Sequence, residues 1–268
     1  MDRGTKVSRD LIVRAMTEAL EPLSYVHAFW EAGAAAFKRI DEWSDIDLYI
    51  VVDGDTVSAT FRVVEQALTR LSPIRLAHEV PWPPASGISQ KFYRLDKIGE
   101  FLLVDLAVMT VTAPDKFLVR EIHGDAVFLF NKQDSVKIPP LDSEAFIRGL
   151  LERRRRLRER MELFGPFVQK EILRGNKLEA LEFYRAIVIQ SLVEVLRMRY
   201  GPRHYDFRMR YVYRELSPDV VRRLEALAFV KDLEDLAAKY LEARAWFDRA
   251  IEEVDEMQIR RDVAGNSK

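Results

Sequence analysis

The chain contains no cysteine, only four histidines and no long run of apolar residues. The absence of cysteine excludes disulfides and thiolate zinc sites, and it makes the cytoplasm the expected compartment. No apolar stretch approaches the roughly 20 residues that a membrane helix needs, so no membrane partner is predicted. The first ten residues, MDRGTKVSRD, lack the apolar core of a signal peptide.

Hydrophobic residues make up 48% of the 268 positions and charged residues 32%, a balance typical of a globular protein with a substantial core. The length allows one large domain or two ordinary ones. The formal net charge is −1, and neither half of the chain is strongly basic. Composition therefore gives no strong signal for nucleic-acid binding.

The two halves of the chain show different periodicities. Up to about residue 140, apolar runs typical of strands alternate with helical patterns at 8–20 and 56–71. Pro139-Pro140 interrupts this pattern. Helical stripes follow at 143–164, 176–200, 217–230 and 231–257. We therefore expect an α+β protein, with a mixed sheet and flanking helices in a domain at 1–140 and an antiparallel helical bundle at 141–268.

Asp45 and Asp47 stand at the start of DIDLYIVV, whose apolar residues predict a buried central strand. Side chains at positions i and i+2 of a strand point to the same face, so the two carboxylates should project together. Such a pair repels itself and loses solvation unless a cation lies between its members. Because Mg²⁺ takes one or two protein carboxylates and completes its shell with water and phosphate oxygens, a magnesium site explains the pattern.

A third acid and a glycine turn extend this pattern. Asp105 lies within FLLVDLAVM, where a lone charge is costly unless it is paired or binds a metal. If this strand neighbours the one that carries Asp45 and Asp47, the three carboxylates form one cluster. A preceding strand is predicted to end at Gly33, where a tight turn and small side chains would let the backbone approach a phosphate.

In these motifs the sequence resembles the DNA polymerase β-like nucleotidyltransferase superfamily, over about residues 25–110. The matching features are Gly33, the SDIDL motif within Ser44–Val52, and Asp105 in VDLAV. The general layout resembles that of antibiotic and minimal nucleotidyltransferases. The resemblance implies transfer of a nucleoside monophosphate, most simply AMP from ATP, to an acceptor hydroxyl with release of pyrophosphate.

The resemblance also implies roles for individual residues. Asp45 and Asp47 would hold two Mg²⁺ ions, and Asp105 would be a further metal ligand or the base that accepts the proton of the hydroxyl. All three are therefore the candidate catalytic residues. The nucleotide would be bound by the turn and the loop that follows it, through Gly33, Ala34, Lys38, Arg39 and Ser44.

Two positions depart from the family pattern. Ala34 replaces the serine that usually follows the glycine, so one hydroxyl contact to phosphate is missing. Phe37-Lys38 replaces an Arg-Gly pair, which leaves Lys38 or Arg39 to meet the triphosphate. The alternative to an enzyme is therefore a non-catalytic or regulatory nucleotide-binding protein, for example an antitoxin-like partner.

The segment 197–216, RMRYGPRHYDFRMRYVYREL, groups arginine, histidine and tyrosine after a predicted helix end. One interpretation is a wall that binds a small-molecule or macromolecular acceptor, formed by Arg203, His204, Tyr205 and Arg208. Arg199 and His204 also resemble the R-x4-H motif of HEPN ribonucleases, although Gly201-Pro202 would break the helix that carries such a pair. The third interpretation is a connecting loop with packed tyrosines and solvated arginines.

Other features leave alternatives open. PWPPASG, at 81–87, is either a mobile loop over the nucleotide or a stiff connector. The four arginines at 153–156 are typical of a solvated helix face with acidic partners such as Glu152 and Glu159, with contact to phosphate or RNA as the alternative. We expect the active site in a cleft between the domains. The identity of the acceptor and the formation of a homodimer stay open.

Overall fold

The computed structural model describes residues 7–264, and the chain divides into two compact units, Met1–Pro140 and Leu141–Lys268. The first unit contains a mixed β-sheet with helices, and the second is helical. The expected α+β class is therefore confirmed. In the described part of the chain, no helix is long and apolar enough to cross a membrane.

Within residues 7–140, six strands form one sheet. They are β1 (Val26–Glu31), β2 (Ile46–Val52), β3 (Ile74–Val80), β4 (Ile88–Leu95), β5 (Val104–Thr110) and β6 (Val127–Asn131). Their order across the sheet is β3-β4-β5-β2-β1-β6. The β2–β5 pair is parallel and the other pairs are antiparallel, so two parallel strands occupy the centre.

The described part of the first unit contains four α-helices, and serines lie at the start of the first and at the end of the third. They are α1 (Arg9–Leu20), α2 (Gly33–Ala36), α3 (Val57–Leu71) and α4 (Arg120–His123). Ser8 caps α1 by accepting a hydrogen bond from the N–H of Leu11 at 3.3 Å, and Ser72 follows the last residue of α3. The predicted helices at 8–20 and 56–71 are thus confirmed.

The two faces of the sheet belong to different apolar clusters. Leu48 is buried on the face covered by α1 and α3, whereas Val51 is buried in a second cluster. Because successive side chains of a strand alternate between faces, Asp47 shares its face with Val51. The register of β2 and β5 pairs Asp47 with Asp105, so both acids lie on the face away from α1 and α3.

The second unit consists of helices around an apolar core of its own. They are α5 (Ser143–Phe164), α6 (Pro166–Arg174), α7 (Lys177–Phe183), α8 (Gln190–Tyr200), α9 (Val212–Glu215), α10 (Pro218–Ala228), α11 (Leu233–Glu253) and α12 (Glu256–Ala264). A π-helical stretch, Tyr184–Ile189, joins α7 directly to α8, so the predicted helix at 176–200 is continuous. Asp142 and Ser217 cap α5 and α10 through hydrogen bonds from Ala145 and Val220.

Several features of the architecture differ from the prediction. Strand β6 and the helices α2, α4, α6 and α9 are absent from it. The prediction of a single helix at 231–257 is wrong, because α11 ends at Glu253 and Asp255 starts a new helix by accepting a hydrogen bond from the N–H of Gln258 at 2.7 Å.

Candidate active site

Asp47 and Asp105 occupy paired positions on the two central strands. Both are partly buried, while Asp45 is exposed one residue before β2, which begins at Ile46 rather than at the predicted Asp45. The adjacency of the two strands confirms that the third acid lies beside the SDIDL strand. Two acids on neighbouring strands, with a third at the strand entrance, form the candidate site.

Electrostatic repulsion links the three carboxylates. Burial raises the pKa of Asp105 to about 6, and the charges of Asp47 and Asp45 add to this rise, while a hydrogen bond from Gln90 opposes it. A partial loss of solvation, followed by repulsion from Asp47, also raises the pKa of Asp45, against a backbone hydrogen bond and two arginines. A cation at this position would relieve both the repulsion and the lost solvation.

Gly33 lies directly against the carboxylate of Asp47. It begins α2 with φ = +50°, and a Cβ at this position would stand 1.8 Å from Asp47 Oδ2. The backbone is also joined here, because the N–H of Ala32 donates to the carbonyl of Asp47 at 2.9 Å. Only a glycine combines the left-handed conformation with room for the carboxylate.

The other nucleotide-binding candidates differ in position. Ala34 follows Gly33 in α2 and is partly buried. Lys38 is exposed with φ = +55°, and the guanidinium carbon of Arg39 lies 5.1 Å from the centre of the Phe37 ring. The structure thus brings Gly33 to the acids, while the two cations belong to the loop between α2 and β2.

Ser44 makes its hydrogen bonds within the same loop. Its hydroxyl donates to Asp41 Oδ1 at 2.7 Å and accepts from the N–H of Asp41 at 2.9 Å. The two side chains close a turn immediately before β2. Ser44 therefore shapes the approach to Asp45, and its hydroxyl is engaged locally.

Gln90 and Trp82 also belong to the site, although the sequence analysis missed both. Gln90 Nε2 donates to Asp105 Oδ1 at 2.6 Å, and Gln90 Oε1 accepts from Trp82 Nε1 at 3.0 Å. Trp82 lies in the loop 81–87, whose far end is joined to β5 by a backbone hydrogen bond to the carbonyl of Gly87. Because the loop is held at both ends, the structure favours the stiff connector over the mobile loop.

The donor atoms of the site suit a hard cation. Among residues 7–264, no three or more His, Asp or Glu side chains are arranged so that they could hold a metal ion together. Mg²⁺ needs only one or two protein carboxylates when water and phosphate oxygens complete its shell. The chemistry of the paired acids therefore fits magnesium, but a three-carboxylate cage is not formed by the described residues.

The acceptor-binding candidates lie in the second unit, between α8 and α9. The segment that contains them surrounds Arg197, whose side chain is 1% exposed. Arg197 Nη1 donates to Glu215 Oε2 at 2.7 Å, and its Nε donates to the carbonyl of Arg208 at 2.8 Å. It also donates to the carbonyls of His204 and Arg210. One buried guanidinium thus binds three backbone carbonyls of this segment.

Several side chains of this segment are packed. His204 stacks on Phe207 with ring centres 4.3 Å apart, and Tyr205 packs against Phe146 at 5.9 Å. Arg203 donates to the carbonyl of Val263 at 3.0 Å, whereas Arg208 is exposed. This packing favours the connecting-loop interpretation for the first three candidates.

The R-x4-H pair is not carried by one helix. Arg199 lies in α8 and forms an ion pair with Glu253, but α8 ends at Tyr200. His204 lies in a separate 3₁₀ turn, Pro202–His204, which follows Gly201. The helix break expected from the sequence is therefore present.

The four consecutive arginines of α5 all have partners. Arg155 bonds to Glu152 and Glu159, and Arg156 bonds to Glu152, so the predicted acidic partners are confirmed. Arg153 forms a two-point contact with Glu194, and Arg154 donates to the carbonyl of Ile251. This pairing is typical of a helix surface that is stabilised within the protein.

Comparison with known proteins adds little to these observations. No protein-family model matches the sequence, and no curated protein matches it. The structure is similar to the crystal structure of an aminoglycoside 6-adenyltransferase from Bacillus subtilis, with 12% sequence identity over 98% of this chain and 94% of that chain. The TM-score is 0.35, and a likeness of that size carries no argument about this chain.

Gly33→Ala should lower the free energy of unfolding by at least about 1–2 kcal/mol, because the left-handed conformation alone costs about that much for a residue with a Cβ. Denaturant titration measures the loss. Gly99→Ala is the matched control, since a Cβ there meets nothing within 4 Å. Adding Asp47→Ala should recover part of the loss, and no recovery would contradict the close contact between Gly33 and Asp47.

Asp105 should destabilise the protein at neutral pH and stop doing so in acid. Its pKa is about 6 in the folded protein against an ordinary value of 3.8. Between pH 3.8 and pH 6 the folded state therefore binds more protons than the unfolded state, and stability falls as the pH rises. Asp105→Asn should therefore be more stable than the wild type at about pH 8, and this advantage should shrink by about pH 4.5. Urea titration across that range measures the difference, and a constant advantage would contradict the prediction.

Arg197→Met should cost about 3–5 kcal/mol, because it leaves the largely buried Glu215 and several backbone carbonyls without their donor. Arg199→Met is the control on the same helix. Its ion pair with Glu253 is partly exposed, so a loss of at most about 1 kcal/mol is expected. Equal losses in the two variants would show that Arg197 does not organise the segment.

Proposed function

We propose that this chain is a Mg²⁺-dependent nucleotidyltransferase. It moves a nucleoside monophosphate, in the simplest case AMP from ATP, to an acceptor hydroxyl and releases pyrophosphate. The observation that supports this proposal is the pairing of Asp47 with Asp105 across the central strands, with Gly33 against Asp47. Paired acids beside a turn of small residues suit a metal and a phosphate bound next to each other.

Asp45 and Asp47 are the proposed magnesium ligands. The bound metal would neutralise phosphate charge and make the α-phosphorus more electrophilic. Asp105 is proposed as a further ligand or as the general base. In the absence of a metal, burial raises the pKa of this carboxyl above its ordinary value, which makes the carboxylate a better proton acceptor than an exposed aspartate.

The proposed reaction is balanced without any further reactant. The acceptor oxygen forms a bond to the α-phosphorus, and the bond between that phosphorus and the pyrophosphate oxygen breaks. The hydroxyl proton passes to Asp105 when this residue acts as the base. The released pyrophosphate carries the electrons of the broken bond.

The triphosphate is proposed to lie along the turn at Gly33 and Ala34, where the absence of large side chains would let the backbone approach a phosphate. Lys38 and Arg39 are the cations of the adjoining loop that could meet its charge. Since Ser44 is engaged with Asp41, it is proposed to act by shaping this loop.

The helical unit is proposed to select the acceptor, because the metal and phosphate chemistry can use any hydroxyl. Within the segment held by Arg197, Arg208 has an exposed side chain and a carbonyl fixed by that guanidinium. Arg208 is therefore better suited to contact an anionic acceptor than the packed His204 or Tyr205.

A regulatory nucleotide-binding protein without catalysis is the second candidate. It is favoured by Ala34, which offers no hydroxyl to the phosphate. Pyrophosphate release from ATP in the presence of a library of hydroxylated acceptors separates the two candidates. Nucleotide binding without release for every acceptor would favour the regulatory protein.

Asp47→Asn should abolish Mg²⁺-dependent binding of a non-hydrolysable ATP analogue while leaving the Tm unchanged or higher, because repulsion with Asp45 and Asp105 is relieved. Calorimetry and thermal unfolding measure the two effects. Asp55→Asn, at an exposed position before α3, is the control and should bind as the wild type does. Unchanged Mg²⁺-dependent binding in Asp47→Asn would overturn the metal assignment.

A further inference from the structure

Three groups form a hydrogen-bonded chain from the loop 81–87 to the third acid. Trp82 Nε1 donates to Gln90 Oε1 at 3.0 Å, and Gln90 Nε2 donates to Asp105 Oδ1 at 2.6 Å. Gln90 is partly buried on β4, opposite Ala107 in the register with β5. These hydrogen bonds therefore connect a loop at the edge of the sheet to a central strand through a single side-chain amide.

The chemistry of the two ends fixes the orientation of the amide. An indole N–H can only donate a hydrogen bond, and an ionised carboxylate can only accept one. The amide oxygen of Gln90 must therefore face Trp82, and its nitrogen must face Asp105. A flipped amide would oppose two donors at one end and two acceptors at the other, so both bonds depend on the same orientation.

Anchoring of the loop, to which the bond from Trp82 to Gln90 contributes, does not by itself account for the second bond, from Gln90 to Asp105. The far end of the loop is already joined to β5 at Gly87, and the side chain of Trp82 stays 37% exposed. A tryptophan with that exposure gains less free energy from burial than a core tryptophan does. The hydrogen bond of its N–H therefore makes up a larger share of what its side chain contributes to stability. The last hydrogen bond of the series is accepted by an acid of the candidate site rather than by a backbone group.

We propose that Gln90 is a positioning residue for Asp105 and that Trp82 fixes the orientation of Gln90. Gln90 holds one oxygen of the Asp105 carboxylate, and the other oxygen is left to act toward ligand or substrate. The functional part of this inference rests on the proposed nucleotidyl transfer. The coupling of Trp82 to Asp105 does not, and it can be measured on the protein without any ligand.

The first experiment measures this coupling by NMR. The chain has four tryptophans, so ¹⁵N-tryptophan labelling gives a small set of indole N–H signals that Trp→Phe variants assign. Asp105→Asn should shift the indole signal of Trp82 and leave that of Trp246, in the second unit, unchanged. In the Gln90→Met background, Asp105→Asn should no longer move the Trp82 signal, because the bridging amide is absent.

The second experiment measures positioning by calorimetric titration of the full-length protein with Mg²⁺ and a non-hydrolysable ATP analogue. Gln90→Met should weaken Mg²⁺-dependent binding roughly tenfold or more, as is typical when a group that orients a ligand is lost. Adding Trp82→Phe to Gln90→Met should cause no further loss, because both act through one chain. Gln66→Met, on the exposed side of α3, is the matched control and should bind as the wild type does.

The outcomes separate this inference from the proposed function. If the wild type binds the nucleotide but the Trp82 signal ignores Asp105→Asn, the inference is overturned and the proposed function stands. The same holds if Gln90→Met binds as tightly as the wild type while its Tm is unchanged. If the wild type shows no Mg²⁺-dependent binding of the nucleotide analogue, the proposed function fails. The positioning role of Gln90 then fails with it, even if the Trp82 signal responds to Asp105→Asn.

Discussion

The parallel pairing of β2 with β5 is the constraint on which the candidate site depends. A parallel pair needs a long crossover connection, and here the chain between the two strands runs through α3, β3 and β4. The crossover returns β5 in the register that sets Asp105 opposite Asp47. A shift by one residue would turn Asp105 to the opposite face of the sheet, where Leu48 and Leu106 are buried.

The repulsion created by this pairing is retained rather than removed. Asp105 keeps a raised pKa although Gln90 donates to it, and Asp45 keeps a raised pKa although arginines act against the rise. Gly33 brings its backbone so close to Asp47 that no side chain fits between them. A fold that only needed stability would be better served by an apolar residue at Asp47 or Asp105, and the retained repulsion is what the proposed magnesium would relieve.

Much of this arrangement could be predicted from local sequence, and the rest could not for physical reasons. Helices such as α1 and α5 carry their caps and apolar stripes within the segment itself, so pattern was sufficient. Strand β6 has five residues and obtains its ladder from the far edge of β1, which no local pattern encodes. The predicted site lacked Gln90 for the same reason, because Gln90 contacts Asp105 only through the register of β4 and β5.

Arg197 shows how the same limitation changes the interpretation of a motif. The segment after α8 is rich in groups that bind anions, and a sequence alone presents them all as available. The structure uses one buried guanidinium, which belongs to the preceding helix, to bind the carbonyls of this segment. Buried carbonyls need a hydrogen-bond donor whatever the direction of the neighbouring side chains. The backbone conformation of this segment therefore depends on Arg197, a residue of α8. The exposed Arg208 is thus carried by a backbone whose carbonyl is hydrogen-bonded to Arg197, which would lower the entropic cost of the anion contact proposed for it.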